Sequence, residues 1–184
     1  GLVDQLASIG PTGPKDGVPT ILVTPSDGLE ESAELTSLAA GLFYENQSYR
    51  VIMKYHPRMP FEKLQRITGM TLPEGIEVTE APITELMSES SIMIYSGSTV
   101  SFQALAIGLP TIHVVTQFDL DLDPLDEAQE TRLAAMGLEE LREKVRWLLE
   151  NREDYIEQNK QSWDSLVHSA YCPVNEDTYR AFID

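Results

Sequence analysis

Along residues 18–170, short apolar runs alternate with stretches whose apolar residues recur every three or four positions. Pro19 to Thr24 (Pro-Thr-Ile-Leu-Val-Thr) has no in-out alternation, which predicts a strand covered on both faces. Tyr49 to Tyr55, Gly75 to Glu80, Ile92 to Tyr95 and Thr111 to Val115 read as four further strands. Ala33, Leu35, Leu38, Ala39, Leu42 and Phe43 mark a helix over 30–46, and shorter helices are predicted over 61–68, 83–89 and 100–107. Two amphipathic helices follow over 139–150 and 153–167, with Trp147 and Trp163 on their apolar faces. Strand and helix alternate about five times through short connections. That predicts an α/β fold with a doubly wound, mainly parallel, Rossmann-like sheet of five to six strands. Its core is expected to hold Ile21, Leu22, Val23, Val51, Ile52, Met53, Ile92, Met93, Ile94, Ile112 and Val114.

In such a sheet, ligands bind beyond the carboxyl ends of the strands, where strand order reverses. Four polar loops leave those ends: Ser26-Asp27-Gly28, His56-Pro57-Arg58, Ser96-Gly97-Ser98-Thr99, and the segment from Gln117 to Asp123. The 96–99 turn opens a helix, so it gathers backbone N–H groups and the positive end of the helix dipole. With the hydroxyls of Ser96, Ser98 and Thr99 it suits a phosphate or another anion. The competing reading is capping alone, since Ser, Thr and Gly are the usual cap and turn residues. His56 and Arg58 add an imidazole and a guanidinium fork that suit the same ligand. The competing reading makes Pro57 a strand stop, with His56 a cap and Arg58 in solvent. His113, within a strand, and His168, near the last helix end, each read as a packed or a surface histidine rather than a ligand.

Composition narrows the partners. The net charge of −17 opposes nonspecific binding to nucleic acid or an anionic membrane, and leaves room for a small anion held by local donors. No apolar run approaches the length of a membrane span. The single cysteine, Cys172, excludes an internal disulfide and a Cys-rich zinc site. Asp119, Asp121, Asp123 and Glu130 mimic a calcium loop, but Pro124 stands where that loop requires Gly. A solvated acidic loop without metal is the expectation. Residues 1–17, with Gly10-Pro11-Thr12-Gly13-Pro14, read as a linker from a preceding domain; 171–184 read as a C-terminal extension.

Together, Met53-Lys54-Tyr55-His56-Pro57-Arg58 and Tyr95-Ser96-Gly97-Ser98 resemble the Lys-x-His-Pro and Ser-rich segments of CDP-glycerol glycerophosphotransferases and bacterial polysialyltransferases. The run from Ser98 to Pro110 also resembles the matching helix of the peptidoglycan lipid N-acetylglucosaminyltransferase. The resemblance covers roughly 19–170. It implies the C-terminal, nucleotide-sugar-binding domain of a GT-B glycosyltransferase of surface polysaccharide biosynthesis. In such enzymes a preceding domain of the same polypeptide supplies the acceptor site and usually the catalytic base. The resemblance implies His56 as the catalytic group, with Arg58, Ser96, Gly97, Ser98, Thr99, Gln103 and Gln117 binding the donor, a nucleotide-activated sugar or polyol. It implies no further cofactor and a cytoplasmic site of action, peripheral to the membrane through the preceding domain.

Gln103 stands where the N-acetylglucosaminyltransferase has a ribose-holding Glu, and an amide lacks that carboxylate's charge-assisted, bidentate acceptor. Tyr95 and Gln103 occupy the places of the Glu-x7-Glu pair of retaining enzymes, so the resemblance implies an inverting one. Two alternatives stay open. A UDP-N-acetylglucosamine 2-epimerase shares the fold and the Ser-Gly turn but has acidic residues behind it, where this chain has Ser101, Phe102 and Gln103. A non-catalytic flavodoxin-like module would bind no nucleotide sugar.

Overall fold

A computed structural model describes residues 13–14, 17–45, 48–117, 123–125 and 132–171. The expected linker over 1–17 and extension over 171–184 therefore lie almost wholly outside the described residues. Six strands are present among the described residues: β1 (Thr20–Thr24), β2 (Arg50–Met53), β3 (Glu77–Val78), β4 (Ile92–Tyr95), β5 (Thr111–Val114) and β6 (Leu133–Ala135). Helices α1 (Leu29–Glu45), α2 (Phe61–Thr68), α3 (Ile83–Ser88) and α4 (Val100–Ala106) connect the first five strands. Helices α5 (Gly137–Glu150) and α6 (Arg152–Ala170) follow β6.

All the strands are parallel, in the order β3-β2-β1-β4-β5-β6. From β1 the chain steps one way to β2, and from β4 the other way to β5. Right-handed crossovers then place α1 and α4 on opposite faces of the sheet. The continuous apolar runs follow from this: β1, β4 and β5 are buried at every position, because helices cover both faces. Every residue of the expected core is buried. Helix α5 packs on α1, where Gly41 lets the two approach closely; a Cβ there would stand 2.6 Å from Cδ2 of Leu138. Helix α6 packs on α4.

Some details depart from the pattern. The third strand is only Glu77–Val78, both residues exposed at the sheet edge. Strand β6, which lies outside every predicted strand, pairs with β5 from Ile112↔Leu133 to Val114↔Ala135. Trp163 is buried in α6, but Trp147 stands 47% exposed beside the buried face of α5 formed by Leu141, Val145 and Leu148. Its ring meets Tyr155 edge-on, and Tyr155 in turn meets Trp163.

Helix α1 buries two polar residues, Ser32 and Thr36, among its apolar ones. Their hydrogen bonds offset the desolvation: Ser32 Oγ donates to the Ser26 carbonyl at 2.8 Å, and Thr36 Oγ1 to the Ser32 carbonyl at 2.6 Å. Tyr55 lies 2.9 Å from Thr36 through its phenol oxygen. Burial lifts the Tyr55 phenol to about 12, against a smaller opposing effect of the Thr36 bond, and burial alone lifts Tyr155 to about 12. Both keep their proton longer folded than unfolded. Their contribution is fully present below pH 10 and is lost as the pH rises toward 12. Urea denaturation between about pH 9 and about pH 11.5 should show that loss, and Tyr155→Phe should flatten it.

Candidate functional site

Strands β1 and β4 lie side by side, and their outgoing connections diverge. The crevice at the carboxyl end of the sheet therefore opens between the loop after β1 and the turn after β4. Strand β2 flanks β1, so its end stands about 10 Å from that of β4. His56 and Arg58 leave β2 there, and both are exposed. Lys54, from the same motif, turns toward β3 and pairs with Glu80 at 2.9 Å.

The loop after β1 is fastened to α1. Ser26 Oγ donates to the Glu31 carboxylate and accepts from the Gly28 N–H at 3.3 Å. Arg58 Nη1 bridges to Asp27 Oδ2 at 2.9 Å, joining the β1 and β2 loops. Both side chains are well exposed, so this pair adds little stability and opens readily to a competing anion. His56 Nδ1 accepts from the Arg58 N–H at 3.2 Å. In the neutral ring the proton then sits on Nε2, which makes His56 a donor toward a ligand.

The turn after β4 begins with Ser96, which is buried, and its hydroxyl has no hydrogen-bond partner among the described residues. Gly97 follows at φ +53°, a left-handed conformation that glycine adopts without strain. Ser98 does what the capping reading expects: its hydroxyl accepts from the Val100 N–H at 3.4 Å, and its carbonyl from the Ser101 N–H at 3.1 Å. Thr99 makes no side-chain cap, and its side chain is exposed. Among the described residues, the N–H groups of Ser98 and Thr99 donate no hydrogen bond. Gln103 is half-buried on α4, and the exposed Gln117 donates its backbone N–H to Glu34 Oε2 at 3.1 Å.

Asp123 corrects the expectation of a solvated acidic loop. Its side chain is fully buried, accepting from the Tyr95 hydroxyl at 2.7 Å and the Leu125 N–H at 3.0 Å, with Arg132 Nη1 at 2.9 Å. These donors occupy the carboxylate, which removes it from any calcium loop; Phe118 to Leu122 and Glu130 lie outside the described residues. His113 is buried, its Nδ1 3.5 Å from Asp123 Oδ2 and its ring 5.2 Å from that of Tyr95. Burial first, then the Asp123 charge and hydrogen bond, hold the Tyr95 phenol far above its ordinary range. His168 is exposed on α6. Glu34 and Arg132 carry no signal in the sequence; Tyr95 stands there at the end of an apolar run and at the head of the Ser-rich turn, with nothing to point to a buried carboxylate partner.

A hollow of about 420 Å³ lies at the other end of the sheet, lined by Pro19, Tyr49, Arg142 and Arg146 among others. It is far from the carboxyl-end loops, and strand-order reversal, not cavity size, decides where this fold binds ligands.

No protein-family model matches the chain, and no curated protein sequence matches it. Solved structures do. Their common feature is the fold of a Rossmann-like domain of GT-B glycosyltransferases, and this chain has that fold. TarM is 10% identical with a TM-score of 0.60, covering 94% of this chain and 36% of that one. The spinosyn rhamnosyltransferase SpnG, complexed with thymidine diphosphate, is 13% identical with a TM-score of 0.58, covering 87% and 43%. The UDP-GlcNAc 2-epimerase from Neisseria meningitidis, bound to UDP-GlcNAc, is 17% identical with a TM-score of 0.55, covering 85% and 41%. The chain thus spans less than half the length of each. Among the described residues, no helix is long and apolar enough to cross a membrane.

Proposed function

We propose that this chain is the C-terminal, donor-binding half of an inverting, metal-independent glycosyltransferase, or a related glycerophosphotransferase, of surface polysaccharide biosynthesis. The observation that carries the reading is the reversal of strand order between β1 and β4, with the exposed His56 in the loop after β2 and the undonated amides of Ser98 and Thr99 in the turn after β4. A nucleoside diphosphate spans the roughly 10 Å between the ends of β2 and β4. The thymidine diphosphate of SpnG supports a donor of this class.

As the bond to the donor breaks, negative charge grows on the departing phosphate: the diphosphate where a sugar leaves a nucleoside diphosphate, the CMP phosphate where glycerophosphate leaves CDP-glycerol. Donors fixed where that charge develops stabilise the transition state more than the ground state. His56 Nε2–H and the two amides fill that role, and Arg58 joins them by exchanging Asp27 for phosphate. Gln103 contacts the ribose and Gln117 the far side of the donor. Ser96, below the turn, supports it from underneath, and Gly97 gives it its shape. The preceding domain of the same polypeptide supplies the acceptor and the base, and the whole works in the cytoplasm, at the membrane through that domain. The resemblance of 53–58 and 95–98 supports the CDP-glycerol and polysialyl branch within this class.

Calorimetry of the chain with CDP, UDP, TDP and GDP tests the reading. At least one should bind, with a dissociation constant of about a millimolar, because half a cleft gives up much of the interaction. No heat from any of the four would overturn it and leave the non-catalytic module. The N. meningitidis epimerase favours a second reading, 2-epimerisation of a UDP-sugar. Conversion of UDP-N-acetylglucosamine by the chain joined to its preceding domain, without an acceptor, would select it.

A further inference from the structure

We propose that Asp123 is a positioning residue that holds the 96–99 turn in its ligand-receiving form by way of Tyr95. The functional part rests on the reading above; the geometric part does not. One carboxylate joins segments distant in sequence: Tyr95 at the end of β4, Leu125 in the segment after β5, and Arg132 at the entry to β6. His113 in β5, the register partner of Tyr95, closes the cluster from the sheet. Every side chain in it is at least nine-tenths buried.

A buried carboxylate beside a buried guanidinium is rarely more stable than apolar side chains of the same volume. What the polar cluster adds is direction, since each bond fixes an angle that a leucine would leave open. Tyr95 is peptide-bonded to Ser96, so fixing its ring fixes the first residue of the turn. The Ser101 hydroxyl, at the start of α4, donates to the Ser98 carbonyl at 2.9 Å and so ties the turn to the helix. Asp123 thereby links the stretch after β5 to the amides of Ser98 and Thr99.

Tyr95→Phe tests this with the ring kept and only the hydroxyl removed. Amide hydrogen exchange of Ser101 and Phe102, whose N–H groups bond to Ser98 and Thr99, should accelerate by about ten- to a hundredfold, the scale of one hydrogen bond to a charged group. Exchange in β1 and β2 should stay as it was, and Tyr155→Phe should leave Ser101 and Phe102 unchanged. Affinity for the best-binding of CDP, UDP, TDP and GDP should fall about five- to tenfold in Tyr95→Phe. Unchanged exchange at Ser101 and Phe102, or acceleration equal throughout the sheet, would overturn the proposal. So would faster local exchange with unchanged affinity. If the unaltered chain bound none of the four, the glycosyltransferase reading would fail with the functional part of this proposal, and exchange alone would still decide the linkage.

Discussion

In the two-domain enzyme that the proposal requires, His56→Ala is expected to lower turnover by about one to three orders of magnitude, and Thr99→Val by a comparable amount. For His56 the reason is the proton on Nε2, fixed there because Nδ1 accepts from the Arg58 N–H. Alanine removes a donor aimed at the leaving diphosphate, where charge develops. Thr99 contributes its exposed hydroxyl and its amide; valine removes the hydroxyl and crowds the approach to the N–H with a second methyl. Gln103→Ala should instead weaken nucleotide affinity with little effect on turnover, because ribose contacts change little as the bond breaks. Steady-state kinetics of the three variants separates these cases. Normal turnover and affinity in His56→Ala would return Pro57 to a plain strand stop.

The largest expected effect on stability belongs to Trp163→Ala, about 3–5 kcal/mol. Trp163 is the largest of the fully buried side chains, and it holds α6 in place beside Tyr155. Alanine would leave a cavity that neighbouring helices close only in part. Trp147→Ala should cost about 1 kcal/mol or less, since nearly half of that side chain already meets solvent. Urea denaturation of the two variants measures the difference. Equal losses would mean that Trp147 is more deeply packed than its exposure indicates.

Long, strongly patterned elements were legible in the sequence because burial on both faces writes itself as continuous apolar runs. Phe61–Thr68 and Ile92–Tyr95 have the bounds the pattern predicts, and β1 differs by one residue. Strand β6 was not legible: Leu133-Ala134-Ala135 is too short for any period, and alanine favours helix. Ser32 and Thr36 break the apolar stripe of α1, and only the positions of Ser26 and Tyr55 explain their burial. Trp147 fell beside the buried stripe of α5 because a hydrophobic side chain is not always an inward one.

The loops of the candidate site were legible as loops at strand ends, since polar residues interrupt apolar runs there. Their mutual arrangement was not. Arg58 meeting Asp27, and Asp123 meeting Tyr95 and Arg132, depend on strand order and register, which no local spacing encodes. The Asp-Leu alternation of 119–123 gave no hint that Asp123 turns inward, because its compensating cation, Arg132, lies further along the chain at the entry to β6.

Backbone amide chemical shifts, followed by NMR while CDP, UDP, TDP or GDP is added in turn, test the central claim most directly. The account predicts that at least one nucleotide moves the resonances of Gly97, Ser98 and Thr99 together with those of His56 and Arg58, while residues at the amino ends of the strands stay still. Shifts confined instead to Tyr49, Arg142 and Arg146, around the hollow at the opposite end of the sheet, would contradict it, as would a spectrum that none of the four changes.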